Sequence, residues 1–166
     1  LILFVYGSLR KGQYNHIRYE IDMRRLVFLG MGKTKPEFTL VDFGPYPGLY
    51  AGGSTAVVGE LYELDAEHHM AKCIEYMEVG AGYRQQDITL EDGRVVTAYV
   101  QRGSIPSYCK KRCTSGDWNA HHIPTEHEAS HMASQLKWMI EFAHEEALEY
   151  VKRNKPKRGK AKCKSN

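Results

Sequence analysis

Five apolar residues, Leu1-Ile2-Leu3-Phe4-Val5, run without interruption into Tyr6-Gly7-Ser8, and no other segment constrains the fold as much. A run this short is a buried strand. A membrane span needs about eighteen or more apolar residues, and a secretory signal needs a basic flank and more length. The expectation is a first strand that an initiator methionine, absent from the sequence, once preceded. A strand that runs straight into Gly-Ser exposes successive backbone N–H groups at its end, a nest suited to a carboxylate or a developing oxyanion. Taken alone, such an ending is most often an ordinary turn, so the rest of the chain has to decide.

Further along, Asn15 to Leu26 reads as helical, with Asn15 as N-cap. Val27-Phe28-Leu29 and Phe38-Thr39-Leu40-Val41 read as strands between Gly- and Pro-containing turns, and Gly44-Pro45-Tyr46-Pro47-Gly48 as a loop stiffened by two prolines. Thr55–Leu64 reads as a strand with a bulge or kink at Gly59, followed by a helix from Asp65 to about Met77. Tyr83–Leu90 and Arg94–Gln101 flank Glu91-Asp92-Gly93, whose Asp-Gly pair marks a tight hairpin. Residues 103–124 read as a long connection. From Thr125 to about Arg153, Leu136, Met139, Ile140, Ala143, Ala147 and Val151 recur at steps of three and four, giving a helix with one apolar face. Strands in the first two-thirds and two clear helices packed on them predict an α+β fold with a mixed, mostly antiparallel, barrel-like sheet.

A chain of 166 residues fits one domain, assigned to residues 1–151. Its net charge of +3 conceals a division. Residues 152–166 hold eight Lys/Arg and no acid, whereas residues 1–151 hold fifteen basic against twenty acidic residues. The body is therefore mildly acidic and the tail reads as a disordered, solvated end. A nucleic-acid-binding domain places its basic residues on the folded body, so no nucleic-acid partner is expected for it. No stretch has the length and apolarity of a membrane-spanning helix. Cysteines 73, 109, 113 and 163 follow no regular framework, which fits thiols in a reducing cytoplasm. Oligomeric state is left open.

Phe4-Val5-Tyr6-Gly7-Ser8-Leu9-Arg10, with Gly12 and Asn15-His16, resembles the opening motif of the γ-glutamylcyclotransferase-like (AIG2-like) family. The resemblance continues in order through Pro47-Gly48-Leu49 and Val58-Gly59-Glu60-Leu61-Tyr62-Glu63-Leu64-Asp65, then Ile74-Glu75-Tyr76-Met77-Glu78 and Tyr83-Arg84. Gly93 to Val100 and Ser115-Gly116-Asp117-Trp118 complete it, so that it spans roughly residues 3 to 118. It implies cyclisation of a γ-glutamyl group with release of 5-oxoproline and a free amine. Glu78 would then be the general acid/base, Tyr6, Gly7, Ser8 and Leu9 the substrate-holding turn, and Tyr83 and Arg84 further substrate contacts. No metal or cofactor is implied, and the partner is a small γ-glutamyl molecule. The chain departs from the family pattern at Ile74-Glu75, where Leu-Asp is common, and at Gln101, where a second tyrosine is common.

Two other readings compete with that one. A non-catalytic module on the same fold would use the turn as an anion pocket, but would have no need for Glu78. His127-Glu128-Ala129-Ser130-His131 matches the H-E-x-x-H pattern of zinc hydrolases. Two histidines four apart share a helix face, but Glu145, Glu146 and Glu149, as third ligands, lie further along the same continuous helix and cannot curve back. The segment reads as the polar first turn of the last helix.

Overall fold

The computed structural model describes residues 1–18, 26–65 and 69–153. Among these described residues, seven strands and four helices follow in chain order. They are β1 (Ile2–Val5), α1 (Tyr14–Arg18), β2 (Val27–Lys33), β3 (Phe38–Asp42), β4 (Pro47–Ala51) and β5 (Val58–Glu63). Then come α2 (His69–Gly80), β6 (Tyr83–Thr89), β7 (Val95–Gln101), α3 (Trp118–His121) and α4 (Glu126–Arg153).

Five strands form one sheet in the order β2-β5-β1-β7-β6, and β3-β4 form a separate hairpin. β1 holds the centre, antiparallel to β5 and parallel to β7, so the sheet is mixed but mostly antiparallel, as expected. The position of β1 explains its uninterrupted apolar run. Successive side chains point to opposite faces, and both faces of this strand are covered. Phe4 and Tyr6 enter a core with Leu40 and Leu49 of the hairpin and Leu61, Val96 and Val100 of the sheet. Leu3 and Val5 enter a second core with Leu9, Ile74 of α2, Tyr83 and Tyr99.

The sheet curls without closing into a barrel. A single bridge, Thr34 to Leu90, and the Glu91 N–H bond to the Lys33 carbonyl (2.8 Å) bring the far end of β2 to the β6–β7 hairpin. That hairpin turns at Gly93, φ +86°, as the Asp-Gly pair requires.

Several local expectations change. Pro47, placed in a loop by sequence, starts β4, because its fixed φ suits the first residue of an edge strand. Gly59 lies in regular pairing with Gly32, and the bulge sits instead in β2 between Phe28 and Gly30. Gly59 answers to close packing, since a Cβ there would lie 2.5 Å from the Phe4 ring. The connection 103–124 contains α3, capped by Asp117 accepting from the Asn119 N–H. α2 runs to Gly80, so Glu78 lies within its last turn rather than past its end. The helix expected from Asn15 is present from Tyr14 to Arg18, and its remainder up to residue 25 lies outside the described residues, as do the start of the Asp65 helix (66–68) and the basic tail from 154.

The largest correction concerns α4. The helix predicted to pack its apolar face on the strands meets, among the described elements, chiefly α1, and Leu136 and Ile140 of that face remain 42% and 70% exposed.

Candidate active site

The parallel pairing of β1 with β7 brings their C-terminal ends side by side, and β6 begins next to them with Tyr83 opposite Gln101. The last turn of α2 lies across this edge. Ile74 is fully buried in the second core, and a residue four positions on shares its helix face, so Glu78 is carried over the end of β1. The result is a cavity of about 200 Å³ lined by Tyr6, Gly7, Ser8, Leu9, Glu78 and Tyr83, with Asn15, Tyr46, Pro47, Met77 and Tyr99 among the others.

Glu78 is the one charged side chain among the described residues that line the cavity. Burial pushes its carboxyl up to about 7, from an ordinary value of 4.5. Its place at the negative end of α2 acts in the same direction. Tyr6 and Tyr83 supply walls rather than free hydroxyls. Tyr6 donates to the Tyr99 carbonyl (2.5 Å) and Tyr83 to the Pro47 carbonyl (2.7 Å). Burial raises both phenols well above their ordinary range, and raises Tyr99 to about 12. These rings stay neutral at any physiological pH.

The turn after β1 is held from several directions. The Arg10 N–H bonds the Gly7 carbonyl and the His16 N–H bonds the Ser8 carbonyl, while the N–H groups of Ser8 and Leu9 find no acceptor among the described residues. Asn15 donates to the Ser8 hydroxyl (2.8 Å), and a His16 ring nitrogen bonds the Leu9 carbonyl (2.8 Å). Gly7 has a steric reason to be glycine: a Cβ would lie 2.8 Å from the Pro47 ring. Beneath the turn, buried Arg10 contacts Asp117 (2.6 Å) and Glu60 (3.7 Å). The Glu60 carboxylate also accepts from the Lys11 N–H (2.9 Å) and the Tyr62 hydroxyl (2.8 Å).

The fold therefore brings Tyr6, Gly7, Ser8, Leu9, Glu78 and Tyr83 together, and leaves Arg84 out. The next residue on a strand faces the opposite side, and Arg84 bonds Gln86 (3.1 Å) on an exposed surface. Gln101 stands beside the Tyr83 phenol at the edge of the site and donates weakly to the Ala81 carbonyl (3.4 Å). Asn15, Tyr46, Pro47 and Tyr99 were not singled out as site residues from sequence. Asn15 was assigned to a helix cap, and nothing local reveals that Pro47 and Tyr99 meet the end of β1.

The His127–His131 segment is organised otherwise than a zinc centre. Glu128 Oε2 accepts from the Thr125 N–H (2.8 Å) and hydroxyl (2.9 Å), and the Glu128 N–H bonds back to Thr125 Oγ1 (3.2 Å), a capping box at the start of α4. His127 is exposed, whereas His131 packs on the Tyr14 ring with centroids 5.2 Å apart. Among the described residues no group of three or more His, Cys, Asp or Glu is arranged to hold a metal ion. None of the described helices is long and apolar enough to cross a membrane.

A curled mixed sheet with a carboxyl and an open amide turn at its centre defines a class of small α+β proteins, and comparison with known proteins places the chain within it. Residues 3–120 match the family described as gamma-glutamyl cyclotransferase, AIG2-like. The chain belongs to that family. It is 36% identical over 117 residues to a Vibrio cholerae protein provisionally named a gamma-glutamylcyclotransferase, covering 70% of this chain and 94% of that one. A Methanocaldococcus jannaschii protein with the same provisional name is 33% identical over 120 residues, covering 70% and 93%. The crystal structure of an uncharacterised protein from Pyrococcus horikoshii superposes with a TM-score of 0.58 at 26% identity, covering 73% of this chain and 92% of that one.

Proposed function

We infer that this protein cyclises a γ-glutamyl group, releasing 5-oxoproline and a free amine, with Glu78 as general acid/base. The observation that carries this reading is a lone carboxyl, raised to about 7, in a cavity also lined by Ser8 and Leu9, whose N–H groups find no acceptor among the described residues. An acid of ordinary strength is a poor base toward an ammonium group. One tuned to neutrality can accept a proton and return it.

In the proposed reaction, the turn Gly7-Ser8-Leu9 receives the α-carboxylate or the carbonyl oxygen that gains charge. Glu78 as carboxylate takes a proton from the substrate α-ammonium. The freed amine attacks the γ-carbonyl, forming the ring C–N bond. The bond from that carbon to the leaving nitrogen then breaks as Glu78 returns the proton to it. The second proton on the ring nitrogen passes to the departing amine, which leaves as an ammonium ion. Both reacting groups belong to one molecule, so selecting the folded conformer supplies much of the acceleration as effective molarity. The rings of Tyr6, Tyr83 and Tyr99 shape that conformer and keep water away.

The test is 5-oxoproline release from a panel of γ-glutamyl amines and γ-glutamyl amino acids, with wild type, Glu78→Gln and a chelator control. Chelator-resistant release that vanishes in Glu78→Gln supports the reading and identifies the leaving group. Binding of γ-glutamyl compounds without release by wild type would instead support an anion-binding module.

A further inference from the structure

α1 holds the turn after β1 by three contacts, and one of them decides where a proton points. The His16 N–H bonds the Ser8 carbonyl (3.0 Å), and a His16 ring nitrogen bonds the Leu9 carbonyl (2.8 Å). The third is Asn15 Nδ2 donating to Ser8 Oγ (2.8 Å), and both residues line the cavity that holds Glu78. A serine hydroxyl has one proton to give and lone pairs to receive. Here Asn15 takes up a lone pair, and no acceptor among the described residues takes the proton. We propose that Asn15 is a positioning residue for substrate binding. By occupying a lone pair of Ser8 Oγ, it turns the Ser8 hydroxyl proton into the cavity, where that proton joins the Ser8 and Leu9 N–H groups as a third donor to the substrate α-carboxylate.

This role rests on the γ-glutamyl reading above, since such a substrate brings an α-carboxylate that must be met by donors or a cation when it leaves water. Glu78 is the one charged side chain among the described residues lining the cavity, and its charge has the wrong sign. The Tyr6 and Tyr83 hydroxyls are spent on backbone carbonyls, whereas the turn offers three donors together. Hydrogen bonds to a charged group are the stronger kind, so a hydroxyl already aimed at a carboxylate is worth more than one left to rotate. Asn15 is held in place to aim it. Its neighbour Tyr14 packs on the His131 ring of α4, with centroids 5.2 Å apart, which braces α1 on the side of α4. An amide suits this position where an acid does not. An aspartate at 15 can only accept, so it would draw the Ser8 proton to itself and set a like charge near the substrate carboxylate.

The experiment is calorimetric titration of the full chain with 5-oxoproline, which keeps the same carboxylate, with the fold checked by circular dichroism. Wild type is compared with Ser8→Ala, Asn15→Leu, Asn15→Asp and the double variant Ser8→Ala with Asn15→Leu. Ser8→Ala and Asn15→Leu should each raise Kd by about tenfold, and Asn15→Asp should raise it further. The double variant should bind as Ser8→Ala does, because Asn15 then has no hydroxyl to aim. A merely structural Asn15 would instead weaken the Ser8→Ala protein again. In 5-oxoproline release from γ-glutamyl amines, the same substitutions should raise KM and leave kcat nearly unchanged, the mark of an interaction already made in the ground state. A fall in kcat at unchanged Kd would assign the hydroxyl to the developing oxyanion and overturn the proposal. So would a wild type that does not bind 5-oxoproline, an Asn15→Leu protein that binds it as wild type does, or additive losses in the double variant. A wild type that binds 5-oxoproline but releases none from any substrate sinks the cyclisation alone, because the cycle of Kd values still decides the role of Asn15.

Discussion

Glu60 and Glu78 lie on two sides of the same turn, both drawn away from water, and their surroundings could hardly differ more. Glu60 is 5% exposed and meets Arg10, the Lys11 N–H and the Tyr62 hydroxyl. Glu78 lines a cavity in which it is the one charged side chain among the described residues, and its carboxyl is raised to about 7 by burial. A buried carboxylate that is surrounded by donors serves structure. One left without them holds a proton loosely near neutrality, which is what acid/base chemistry requires. The two regions teach that burial alone does not distinguish a structural acid from a reactive one. The inventory of donors does.

The sharpest way to break this comparison is to neutralise each acid in turn. Glu78→Gln should lower kcat for 5-oxoproline release by about 10²- to 10⁴-fold, the usual worth of general acid–base catalysis, while the fold persists in circular dichroism. Retained activity would remove Glu78 from the chemistry. Arg10→Met attacks the other side. It strips a buried cation from Glu60 and Asp117, and leaving a buried charge without its partner costs about 3–5 kcal/mol. A clear fall in denaturation midpoint is expected. An unchanged midpoint would mean that the Lys11 N–H and Tyr62 suffice to hold Glu60. Between the two lies Gly7→Ala, whose added methyl must displace the Pro47 ring. Overpacking of this kind costs about 1–3 kcal/mol, and here it should raise KM as well, because the turn shifts with it.

Much of this arrangement could be read from the sequence, but unevenly. The apolar run of β1, the Asp-Gly hairpin and the long last helix are local patterns, and the structure holds all three. The juxtaposition of Tyr6-Gly7-Ser8-Leu9 with Glu78 and Tyr83 was reached through family resemblance, since a contact between residues seventy positions apart leaves no trace in periodicity. Arg84 shows the limit of motif reading. Alternation on a strand sends it away from the cavity that Tyr83 lines, and that depends on which face of β6 is buried. Asp117 as the partner of Arg10 and Pro47 as the ceiling over Gly7 are tertiary facts of the same kind. The solvent-facing stripe of α4 errs in the other direction: its amphipathic pattern was plain, but a pattern states that a face wants cover and not what supplies it.

The smallest effect is also the most discriminating, because it separates the carboxyl from its chemistry. A carboxyl whose value in the folded chain is raised to about 7, against an ordinary 4.5, binds its proton more tightly folded than unfolded. Between those values the unfolded chain has lost the proton and the folded chain keeps it, so stability falls as pH rises through that window and levels off above it. Below it the contribution is fully present. Glutamine cannot ionise, so Glu78→Gln should be more stable than wild type above pH 7, by about 1–3 kcal/mol after allowance for partial exposure. The advantage should shrink towards zero near pH 4. Denaturant unfolding of both proteins at pH 4 and pH 8 measures it directly, and the wild-type rate should rise through the same pH region as Glu78 becomes a base. A Gln variant with no pH-dependent advantage would mean that Glu78 titrates like an exposed acid. Its contrast with Glu60 would then vanish along with its claim to the proton transfer.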